Sequence, residues 1–98
     1  MPEIATLEYQ VSFPADFSGP SEFEWESKGY LPNVTVAFSD GRSVRLFFYD
    51  VVRAGQQVEV TGALVEPNLI LVRNIDRPSI LAAIREAFEQ GYFAESHR

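Results

Sequence analysis

The chain contains no cysteine and one histidine, His97, next to its last residue. Without cysteine there is no disulfide, no zinc-thiolate centre, no iron–sulfur cluster and no thiol nucleophile. A single histidine in a terminal tail of residues 92–98, expected to fray, is poorly held for acid–base work, and a Ser-His-Asp constellation cannot be assembled around it. Glycine-rich phosphate loops are also missing, because Gly41 and Gly62 lack the following glycines and lysine of a nucleotide cradle. No apolar run approaches the ~20 residues of a membrane span, and Glu3 and Glu8 stand where a signal peptide would be basic. The expectation is a cytoplasmic protein with no membrane association, no catalytic residue, no metal and no cofactor.

Positive charge is absent from residues 1–27, which hold Glu3, Glu8, Asp16, Glu22, Glu24 and Glu26. Those residues account for the whole net charge of −6, since all eight Lys and Arg lie beyond them among the remaining acids. Five arginines, Arg42, Arg45, Arg53, Arg73 and Arg77, could form a strip for nucleic acid only by converging in space, so that partner is disfavoured.

What is present suits one α+β domain spanning residues 1–98. At 98 residues and 46% hydrophobic the chain is long enough for a single core. Residues 4–13 alternate, with Leu7, Tyr9, Val11 and Phe13 on one side, and predict a first strand. Pro14, Gly19 and Pro20 mark a loop. The segment EFEWES alternates again and predicts a second strand, with Phe23 and Trp25 inward and Glu22, Glu24 and Glu26 in water, before KGYLPN turns the chain.

The segment NVTVAFSDGRSVRLFFYD predicts a hairpin. A two-residue Asp40-Gly41 turn would oppose Val36 and Arg45, whereas a three-residue loop with Gly41 left-handed pairs Val36 with Val44 and Val34 with Leu46. Val34, Val36, Phe38, Val44, Leu46 and Phe48 then form the core face. The reverse face carries Thr35, Ala37, Arg45, Phe47 and Tyr49, and is either a second core layer or an exposed aromatic patch. Residues 50–61 predict a short helix capped by Asp50 and stopped by Gly62, against the β preference of Val51, Val52, Val58 and Val60. LILVRNI is apolar throughout, the mark of a strand covered on both faces, and is expected centrally in the sheet. A last helix begins at Asp76 and Pro78, runs an apolar stripe through Ile80, Leu81, Ile84, Ala87 and Phe88, and stops at Gly91. The expected order is ββββαβα.

The missing catalytic groups and one-sided charge favour a non-catalytic protein-binding or accessory module. Trp25, Tyr30, Phe47 and Tyr49 would supply apolar contact, and Glu22, Glu24 and Glu26 would draw in a cationic surface. A second copy, giving a homodimer, is one such partner. The rival is a divalent-cation binder or small enzyme using Glu8, Glu22, Glu24 and Glu26, which requires a neighbouring strand or loop to bring further ligands to the carboxylates.

Overall fold

The computed structural model describes residues 8–93. Seven elements follow in the order β1 (Tyr9–Ser12), α1 (Pro20–Lys28), β2 (Tyr30–Phe38), β3 (Ser43–Asp50), α2 (Val51–Thr61), β4 (Leu69–Val72) and α3 (Arg77–Glu89). They form one four-stranded mixed sheet, ordered β1-β2-β3-β4, antiparallel except for the parallel β3/β4 pair. The α+β class and the closing helix are those expected. Two placements differ. EFEWES is helix α1 rather than a strand, so β1 pairs with β2 instead, and β4 lies at an edge of the sheet rather than in its centre. Leu7 and the rest of residues 4–7 of the first expected strand lie outside the described residues, as does His97.

The helical state of α1 follows from its ends. Pro20 occupies the first turn, where its missing N–H costs nothing, and Gly29 closes the helix at φ 81° while its N–H donates to the Trp25 and Glu26 carbonyls. Gly29 ends α1 and Tyr30 already pairs with Tyr49, so KGYLPN is a helix stop followed by strand. The β2 register slips between Leu31 and Val34, where Asn33 adopts φ 65°.

The hairpin has the parity that its apolar stripes demand. Val34 faces Leu46 and Val36 faces Val44 around the loop Ser39-Asp40-Gly41, with Gly41 at φ 96°. The Phe38 N–H donates to the Arg42 carbonyl at 2.8 Å, and the Gly41 N–H to the Phe38 carbonyl at 3.0 Å. Asp40 folds back on the turn, accepting from the backbone N–H of Arg42 and from its guanidinium. Chiefly through that backbone N–H, its carboxyl is held below the ordinary range.

One face of the sheet carries the core. Leu31, Val34, Val36, Phe38, Leu46, Phe48 and Val72 are buried there with Phe17, Ile75, Ile80, Ile84 and Phe93. Helix α3 covers this face through Ile80 and Ile84, with Phe88 partly buried, while Leu81, expected on the stripe, is exposed. Asp76 caps α3 by accepting from the Ser79 N–H at 2.8 Å. Phe93 packs on Phe38 at 5.2 Å and its carbonyl accepts from Arg42, while residues 94–98 of the expected tail lie outside the described residues. No helix among the described residues is long and apolar enough to cross a membrane.

Candidate functional site

The opposite face of the sheet is built from the residues of other parity: Tyr30 on β2, Phe47 and Tyr49 on β3, Leu69 and Leu71 on β4. Strand pairing sets Tyr30 against Tyr49, Tyr49 against Leu71, and Phe47 against Leu69. The aromatic rings gather into one cluster, with centroids 5.9 Å apart for Tyr30–Tyr49, 6.3 Å for Tyr30–Phe47 and 5.2 Å for Phe47–Tyr49. Trp25 joins it edge-on to Tyr30 at 5.6 Å from α1. Trp25, Tyr30, Phe47 and Tyr49 are therefore contiguous. Tyr49 is buried and the other three are partly so, which makes the cluster a second packed layer more than a bare patch.

Helix α2 lies over this layer. Asp50 caps it, accepting from the Arg53 N–H at 2.7 Å, while its own N–H donates to the Gly29 carbonyl at 2.8 Å. The Arg53 guanidinium sits 5.4 Å from the Tyr30 ring centre, and its Nε is buried without a hydrogen-bond partner. Ala54 is the one buried residue of α2.

Beyond the aromatic cluster the cover is incomplete. Val51, Ala54, Gly55, Val58 and Glu59 of α2, with Leu64, Leu69 and Leu71, line an open and mainly apolar groove between the helix and β4. Leu71 is 51% exposed, Val51 56% and Val58 45%. Among the described residues no strand pairs with the outer edge of β4. The Phe47 N–H donates to the Asn68 carbonyl at 3.2 Å, and in a parallel pair this alternation turns residues 68, 70 and 72 toward β3. The N–H and C=O groups of Leu69 and Leu71 thus point outward. The sequence signals for the groove were the β-branched residues of 50–61 and the unbroken apolarity of LILV; neither was read as a site.

The carboxylates are dispersed. On a helix, residues two apart point to different sides, so Glu24 does not share a face with Glu22 and Glu26, and Phe23, expected inward, is 70% exposed. Glu22 is committed to Arg77, whose Nε donates to it at 3.0 Å. Glu8 precedes β1, which pairs with β2, so the strand pair that would have brought it to these glutamates does not form. Among the described residues no three His, Cys, Asp or Glu side chains stand together as a metal site. The arginines are likewise divided: Arg42 holds Asp40 and the Phe93 carbonyl, Arg77 holds Glu22 and the Phe17 carbonyl, and Arg53 lies over Tyr30. No protein-family model, curated protein or solved structure matches the chain.

Proposed function

We propose that this domain is a non-catalytic binding module that engages a protein partner by strand addition along β4. The observation that carries the reading is an edge strand that is apolar on both faces and that no strand pairs with on its outer side among the described residues. Natural sheets blunt exposed edges by keeping the strand short or with lysine, proline, bulges or a covering loop, and of these β4 has only its shortness. Within Leu69–Val72 there is no charge, proline or bulge, and the strand is apolar on both faces. An extended segment from a partner would satisfy the outward groups of Leu69 and Leu71 and set alternate side chains into the groove beside Val51 and Val58. Main-chain bonding then supplies affinity and the groove supplies selectivity. The exposed Glu24 and Glu26 of α1 belong to a different element, where they steer a cationic surface toward the domain and add little to the contact itself.

A photo-cross-linking residue at position 71, compared with one at the exposed Glu86 on α3, tests this in the cell of origin. A discrete protein adduct from 71, absent from 86 and lost when Val58→Glu is added, is the expected result. No adduct from 71, or equal adducts from both positions, would refute strand addition at β4.

A further inference from the structure

We infer that the strand completing β4 comes from a second copy of this chain, an inference that rests on strand addition at β4 and names its partner. The β4 segment can pair with itself. In an antiparallel pair centred on Leu71, Leu71 opposes Leu71 of the second copy and Leu69 opposes Arg73. Leu69 and Leu71 turn their backbone groups outward, and Arg73 lies in the bend that follows β4. Leu71 against Leu71 is then a hydrogen-bonded pair on the twofold axis. Centring on Ile70 instead would set Arg73 against Pro67, which has no N–H to give.

Side chains agree with this register on both faces. Ile70 and Val72, which face the core, oppose Val72 and Ile70 of the copy, so the apolar layer under α3 runs unbroken across the junction. A twofold axis perpendicular to the sheet keeps equivalent faces together, which places both α2 helices on one side. The half-exposed Val51, Val58 and Leu71 of each chain then meet around the axis.

Charge also complements itself. Arg73 is exposed in the bend after β4, opposite Leu69 of the other copy in this register. The residue of α2 lining that end of the groove is Glu59. Symmetry makes two Glu59–Arg73 contacts. The acidic excess lies elsewhere: residues 42–77 carry five arginines against four acids, so the joining surfaces do not repel as the net charge of −6 would suggest.

The test is sedimentation of the purified full chain over a range of concentrations, with Glu59→Arg, Arg73→Glu and the double reversal. Both positions are exposed, and far-UV circular dichroism confirms that each variant is folded. The expected result is a monomer–dimer equilibrium that each single reversal weakens roughly tenfold, because symmetry repeats every loss, and that the double reversal restores. A wild-type chain that stays monomeric overturns the inference, as does a dimer that neither reversal weakens or that the double reversal fails to restore. The two readings fail separately. A monomer whose position-71 adduct is another protein removes the second copy and keeps strand addition, whereas a monomer with no adduct removes both.

Discussion

Gly29 and Gly41 both adopt positive φ, yet they should respond differently to the same added methyl. At Gly41 a Cβ would meet nothing within 4 Å, so only backbone strain opposes it. At Gly29 (φ 81°) a Cβ would stand 2.8 Å from the Arg53 Cβ and 3.1 Å from an Asp50 carboxylate oxygen, at the junction that caps α2. Gly41→Ala should therefore cost about 1–2 kcal/mol, the left-handed penalty of an ordinary residue, and Gly29→Ala clearly more. Denaturant midpoints of the two variants check this, and equal losses would mean that the close approach at Gly29 relaxes freely. The glutamates predict the opposite behaviour. Glu24→Gln and Glu26→Gln should leave stability unchanged, while Glu22→Gln should cost at most ~1 kcal/mol, the scale of a half-exposed ion pair. A melting curve of the triple variant that falls far below that bound would point to a role for these carboxylates that their dispersal on α1 does not provide.

Helix α1 shows why part of the fold was hidden in the sequence. Period-two patterning identifies a strand only when one side of it is buried against a core, and α1 buries no residue fully, so Glu-Phe-Glu-Trp-Glu is alternation without a cause. The better signals were local: Pro20 in the first turn, Gly29 at the stop, and glutamates that favour helix over strand. The hairpin was legible because parity leaves one register that keeps both apolar stripes together, and α2 and α3 were legible from Asp50 and Asp76 as caps. The aromatic cluster was legible only as a list of residues, since contact among Trp25, Tyr30, Phe47 and Tyr49 depends on where α1 ends. Trp25 is also the side chain that ties α1 to that layer. Trp25→Ala should cost about 2 kcal/mol, less than the ~3–5 kcal/mol of a fully buried aromatic, and should expose α1 selectively. Hydrogen exchange that quickens in residues 21–29 while β2, β3 and α3 stay protected is the expected pattern; uniform quickening would make Trp25 part of the global core instead.

For the molecule as a whole, the misplaced strand is the informative one. LILV reads as central because both of its faces are apolar, and among the described residues no strand pairs with its outer flank, which lies beside a groove that α2 covers incompletely. Sequence and position agree once a further strand lies beside β4, which is the condition that strand addition supplies. This gives a prediction about the edge itself. Leu71→Lys removes an apolar side chain that is already half exposed and installs the charge that natural edges use to prevent pairing. Little burial is lost, so the unfolding free energy of the monomer should change by less than about 1 kcal/mol, as for an ordinary surface substitution. Association through β4 should disappear, because each pairing strand would have to bury an ammonium in an apolar groove without a partner. Light scattering on concentrated samples, together with denaturation of dilute ones, separates the two effects. Association surviving in a folded Leu71→Lys protein would place the contact away from β4, whereas collapse of the dilute monomer would show that Leu71 supports the fold rather than an interface.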